Sequence, residues 1–162
     1  MLTIEKKSVK VGKLVDTKHV DTVIKNYKKE RWVHNSKRIG KEDSLSAWLT
    51  IEELEEFLEM IKAQGGDGLR LYWAAYSHDE APKELYKGRQ TVVFVGTKQK
   101  VTQTGKINNK DIYVNKEDGD TSILAYNAVN MCPPFCNESE PDDLGGIGIT
   151  IIDKGDEGMM IS

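Results

Sequence analysis

Two stretches decide the fold: Asp67–Tyr76, DGLRLYWAAY, and Thr91–Val95, TVVFV. In the first, Leu69, Leu71, Trp73 and Ala75 fall on one side of an extended chain, and Arg70, Tyr72, Ala74 and Tyr76 on the other. Side chains alternate along a strand, so one face is apolar and the other aromatic with a single charge. The run Val92–Val95 is apolar at every position, as suits a strand covered on both faces. Ser77–Gln90 joins them. It is far longer than the roughly 2–5 residues of a hairpin loop, which makes it a small element of its own or a working surface.

Outward from this pair, the upstream chain reads as helices. Val20, Val23, Ile24 and Tyr27 form one apolar face of a helix starting at Asp16 or Thr17, with Lys25, Lys28, Lys29 and Arg31 crowding its C-terminal end. Asn35–Asp43 reads as a polar loop with Gly40 as breaker. A short strand is expected within residues 1–15 and another over Ser44–Leu49. Thr50 with Glu53 three residues later spells a capping box, and Leu49 with Leu54 a hydrophobic staple. Leu54, Phe57, Leu58 and Ile61 are its buried stripe, the glutamates between them its acidic side, and Gly65-Gly66 its stop.

Downstream, Lys98–Lys116 reads as a hairpin turning at Asn108-Asn109, Asp118-Gly119 as a second turn, and Ser122–Tyr126 as a strand. Asn127–Asp143 is loop, and Ile147, Ile149 and Ile151 alternate along one face of a last strand. Helices grouped before strands favour α+β: two N-terminal helices packed on a largely antiparallel sheet of four to six strands. The 162 residues suffice for a single domain, with a basic N-terminal segment, 1–41, and an acidic C-terminal stretch, 137–162, that carries the isoleucine strand.

The helix ending in Gly-Gly, then DGLRLY, TVVFV and a late CPPFC, resembles a set of short uncharacterised bacterial proteins over about residues 44–136. The resemblance implies no activity.

Charge is divided unevenly. Residues 1–41 hold 12 Lys/Arg against 4 Asp/Glu, a net of +8, while the remainder carries −11. Such asymmetry marks a polyanion-binding arm, a head-to-tail contact, or two segments that neutralise each other. No apolar run approaches the roughly 20 residues of a membrane span, and MLTIEKKSVK lacks a secretory core, so a cytoplasmic location with reduced cysteines is expected.

Chemistry-bearing patterns are sparse. Cys132 and Cys136 have the spacing of half a zinc site, but only His19, His34 and His78 are left to complete one, so a tight proline turn fixed by the pair, reduced or bridged, is preferred. His78, Asp79 and Glu80 follow the central strand, where a metal or acid–base site would sit. Arg70 needs either an acidic partner or an anion beside Tyr72. Lys25–Lys41 interleaves seven cations with Tyr27, Trp32 and His34, the pattern of a single-strand nucleic-acid surface, without a recognised motif. Gly145–Gly148 lacks dinucleotide spacing, and the acids from Glu138 to Asp143 lack that of an EF-hand.

The leading expectation is a non-enzymatic interaction or assembly protein, working through Ile147, Ile149 and Ile151, with a protein partner or self-association and no cofactor or metal. The alternatives are a small metal-dependent or acid–base enzyme at Ser77–Gln90, and a nucleic-acid binder through Lys25–Lys41.

Overall fold

Asp16 opens the first helix by accepting the His19 N–H at 2.8 Å. Helix α1 (Thr17–Tyr27) runs through a π-helical turn, Lys28–Trp32, into α2 (Val33–Ile39), forming one rod that ends at Gly40 with φ of 71°. The computed structural model describes residues 10–136. Ile147, Ile149, Ile151 and the acidic group before them lie outside the described residues. Within residues 10–16 there is no strand, and Val11 and Leu14 are exposed.

The helix consumes most of the stretch read as a polar loop. The reason is that the inward stripe continues past Tyr27 in residues that do not look apolar as a set. Trp32 is buried and its indole N–H donates to the Asp43 carbonyl at 2.7 Å. Ser36 Oγ accepts the Asp43 N–H at 2.9 Å. The returning chain thus satisfies polar groups that would otherwise favour a loop.

Helix α3 (Ile51–Ala63) starts at the expected capping box. Thr50 Oγ1 accepts the Glu53 N–H at 3.1 Å, and Glu53 Oε2 accepts the Thr50 N–H at 2.9 Å. Phe57 and Ile61 are its buried face. Gly66 is a close-approach position, because a Cβ there would stand 2.4 Å from Ile61 Cγ2.

The central strand is β3 (Gln90–Val101), antiparallel to β2 (Gly68–Ala75) with Leu71 opposite Phe94 and Trp73 opposite Val92. Its other edge carries β4 (Ile107–Asp111) and then β7 (Ala125–Tyr126). Between them β5 (Tyr113–Asn115) and β6 (Thr121–Ile123) form a separate ribbon, turned at Asp118-Gly119 as the sequence suggests. A third ribbon pairs β1 (Ser46–Trp48) with β8 (Asn130–Cys132).

The α+β, antiparallel character is as expected, but among the described residues eight strands in three sheets replace four to six strands in one. The division happens at Ile112 and Leu124. Gly96 N–H donates to Leu124 O at 3.0 Å, Leu124 N–H to Ile112 O at 2.8 Å, and Ile112 N–H to Gly96 O at 2.9 Å. This closed ring of backbone bonds lets the outer hairpin leave one sheet and begin another with no orphaned group. The helix docks at the same point, since a Cβ on Gly96 would meet Ile61 Cγ1 at 2.7 Å. The first hairpin turns at Gly105, φ 78°, and not at Asn108-Asn109, which pair with Lys100 and Gln99 inside the ladder.

Phe57, Ile61, Val92, Phe94, Ile112 and Leu124 belong to one buried cluster with Tyr86, Val129 and Met131. Each such large apolar side chain contributes about 1.5–3 kcal/mol on leaving water.

Candidate interaction surface

Strand β2 pairs only with β3 among the described residues, so its outer edge presents unpaired backbone groups. Along that edge the apolar face is not closed over. Leu69, at the α3 end, is half-buried and packs on the core. Further along, Leu71 is 51% and Trp73 78% exposed. Between them and β1 lies an apolar cleft of about 220 Å³, reached by Ala47, Leu71, Trp73, Val92, Phe94 and Met131. Trp48, 61% exposed, stands at the end of β1. Helix α3 covers the Gly96 end of the sheet through Ile61, and no element among the described residues closes over Leu71 and Trp73.

Arg70 is a brace. Its guanidinium reaches past β3 to β4, with Nη1 at 2.5 Å from Asp111 Oδ1 and Nη2 at 2.6 Å from the Asn109 carbonyl. Tyr72 completes the arrangement, donating to Asp111 Oδ2 at 2.6 Å while accepting from Arg70 Nη1 at 3.1 Å. The Tyr72 hydroxyl, and then Asp111, hold Arg70 more firmly protonated than usual. Of the two readings of Arg70, an acidic partner and an anion, the geometry supplies the acid. Asp111 carried no signal in the sequence, because its partnership depends on strand order.

His78, Asp79 and Glu80 are all exposed, in a turn where Glu80 N–H donates to Ser77 Oγ at 3.1 Å. They follow the C-terminal end of β2, while Arg70 and Tyr72, earlier on that strand, are engaged with Asp111. The link between β2 and β3 is instead a small element of its own. It holds a 3₁₀ turn, Glu84–Tyr86, whose Tyr86 is 0% exposed. Its hydroxyl donates to Val129 O at 3.2 Å and accepts the Met131 N–H at 3.1 Å. Its ring stacks on Tyr76 and meets Phe135 edge-on.

A second polar centre also went unread in the sequence. Asp43, 3% exposed, accepts the Ser44 N–H at 2.8 Å and the Gln90 N–H at 2.6 Å. Arg89 beside it is buried, donates to Leu85 O at 2.8 Å and to Glu42 O, and has its pKa lowered by that burial. Tyr27 closes the junction with a 2.5 Å bond to Gln90 Oε1. These contacts fix the rod to the sheet. They also engage the aromatics of Lys25–Lys41: Trp32 is buried under Lys28 Nζ, 5.0 Å from its ring centroid, and Tyr27 is hydrogen-bonded.

Cys132 and Cys136 are bridged, one of the two states the proline-turn reading allowed, in place of the reduced pair that a cytoplasmic location favours. The turn closes through the Phe135 N–H to Met131 O bond and sets the two Cα atoms 4.8 Å apart, inside the range a disulfide spans. Among the described residues no group of three His, Cys, Asp or Glu stands where it could hold a metal ion. No helix among them is long and apolar enough to cross a membrane. No family model, curated protein or solved structure matches this chain.

Proposed function

We propose that this protein is a non-enzymatic interaction module whose working surface is the outer edge of β2 with the apolar cleft beside it. The observation that carries the reading is Trp73, 78% exposed on a strand edge with no neighbour among the described residues. An extended segment laid along such an edge gains main-chain hydrogen bonds for affinity and alternate side-chain pockets for specificity. The cleft supplies the pockets: Leu71 and Trp73 lie on one side of β2, two residues apart, matching the spacing of side chains on an added strand. The partner is therefore an extended protein segment with alternating apolar residues and little charge.

Panning random extended peptides against the protein tests this. Enriched sequences should alternate apolar residues, and their binding should weaken about tenfold or more in Trp73→Lys, since exposed tryptophans at such surfaces act as anchors. Affinity should change little with salt, because apolar burial is not screened. No enrichment, or binding indifferent to Trp73→Lys, would overturn the reading.

A further inference from the structure

The two ends of the Cys132–Cys136 bridge lie in different surroundings. Cys132 belongs to β8 and is 9% exposed, while Cys136 is exposed. A reagent in solvent therefore reaches the bridge from the Cys136 side. The turn between them is also held by bonds other than the disulfide. Phe135 N–H donates to Met131 O at 2.9 Å, Leu45 N–H to Cys132 O at 2.7 Å, and Ser44 Oγ to Pro133 O at 2.7 Å. Phe135 meets Tyr86 edge-on at 5.6 Å, with Lys83 Nζ 4.5 Å from its ring centroid. Pro133 and Pro134 restrict the backbone between the sulfurs further, since each ring fixes φ. Opening the bridge thus leaves the turn its shape and keeps the two thiols as neighbours.

We propose that Cys132 and Cys136 form a reversible thiol–disulfide exchange site for a low-molecular-weight thiol, with Cys136 the sulfur that is attacked and modified and Cys132 the one that leaves and later restores the bridge. The inference does not rest on the reading of the β2 edge. Its energetic basis is linkage: the fold strengthens the bond only by as much as the bond strengthens the fold. A loop with a sequence separation of 4 removes little freedom from the unfolded chain, so that mutual gain is small. The bond is left near the strength of one in a short open peptide, and exposed disulfides are the class that small thiols reduce. In the first step the thiolate of the small thiol attacks Cys136 Sγ. A new S–S bond forms there, the Cys132–Cys136 bond breaks, and its electron pair leaves on Cys132 Sγ, which takes up a proton from water. A second small thiolate then attacks the small thiol's sulfur in this mixed disulfide, giving the oxidised small disulfide and the Cys136 thiol. The net change is two small thiols oxidised to one disulfide and the protein bridge reduced to two thiols. In the reverse direction the small disulfide modifies Cys136, and the Cys132 thiolate expels the small thiol and closes the bridge.

The test equilibrates the full native chain with mixtures of reduced and oxidised glutathione, traps free thiols by alkylation and reads the products by mass spectrometry. The protein should pass from bridged to dithiol across the mixtures, with near-ultraviolet circular dichroism unchanged from one end to the other. The two single variants identify the attacked sulfur. Oxidised glutathione should modify Cys136 in Cys132→Ser about tenfold or more faster than it modifies Cys132 in Cys136→Ser, because exchange follows access to the sulfur. Should either variant fail to fold, the mixed disulfide trapped in the wild type during the titration answers the same question, and it should map to Cys136. A bridge that stays closed in every mixture until the chain is denatured would overturn the proposal. So would loss of the native dichroism on reduction, equal rates in the two variants, or a mixed disulfide mapped to Cys132.

Discussion

Removing one oxygen atom from Tyr86 should destabilise the protein more than its size suggests. The ring in Tyr86→Phe keeps its volume, its 5.7 Å stack on Tyr76 and its 5.6 Å edge contact with Phe135. What goes is a hydroxyl that accepts the Met131 N–H and donates to Val129 O, both on buried residues. A buried donor or acceptor left alone costs about 1–3 kcal/mol, with carbonyls at the lower end. The sum is about 2–4 kcal/mol, or a midpoint roughly 5–12 °C lower for a chain of this length. Tyr76→Phe is the internal control. Its hydroxyl makes one half-buried bond, to Asn127 Oδ1 at 2.7 Å, so its loss costs about 0.5–1.5 kcal/mol. Thermal unfolding followed by circular dichroism measures both. Equal midpoints for the two variants, or Tyr86→Phe within about 0.5 kcal/mol of wild type, would show that the 77–90 link is not what holds β8 in place.

Thr50→Ala removes one half of the capping box and should lower stability by about 1 kcal/mol in a urea titration; an unchanged midpoint would mean α3 does not depend on that cap. Glu53 has its pKa lowered chiefly by the Thr50 backbone bond, and Glu84 by Lys87, so both stabilise the fold above the ordinary carboxylate pKa and lose that contribution as pH falls through their depressed folded values. The unfolding midpoint should therefore drop on acidification below about pH 4.5, and drop less steeply in Glu53→Gln, which a pH series of melts reads out. Cys132→Ser with Cys136→Ser opens a very small loop and should cost about 2 kcal/mol; thiol titration of the denatured, unreduced wild type should find no free sulfhydryl from this pair. If a basic-to-acidic contact joins copies of the chain, light scattering should show association that weakens from low to high salt, whereas an apolar contact at Trp73 should be indifferent to salt.

Local signals carried through from sequence to structure, and non-local ones did not. Thr50 and Glu53 announce α3 because a capping box is complete within four residues. Asp118-Gly119 announces its turn for the same reason, with Gly119 at φ 88°. Gly105 and Asn108-Asn109 were both adequate turn formers, and the choice fell to the ladder that pairs Asn109 with Gln99. Ile112 and Leu124 look like ordinary strand residues; only their shared bonds with Gly96 make them the points where the hairpin changes sheets. Asp43 and Tyr86 sit in polar, loop-like sequence, and no periodicity marks them. Each is buried because partners far along the chain, Gln90 and Trp32 for one, Val129 and Met131 for the other, converge on it. Leu71 and Trp73 are the reverse case. Their alternation was plain, but whether that apolar side was covered depended on how far α3 reaches along the sheet.

That last point bears on the outer edge of β2, which has no neighbour among the described residues. Arg70 stands where a guarding charge would normally project into solvent and keep other strands away. Instead its guanidinium is held by Asp111, Asn109 and Tyr72, an arrangement that braces β2 to β4 past β3. The brace ties the edge to β4 and pairs its one charge with Asp111. A strand fixed in this way needs little ordering when another segment pairs with it, so less of the binding free energy is lost to immobilisation. Trp73 lies beyond the brace, large and rigid, with Leu71 two residues before it. The same three side chains that hold the sheet together therefore also leave it receptive, and loosening them, for example in Asp111→Asn, should weaken strand binding at Trp73 without touching the cleft itself.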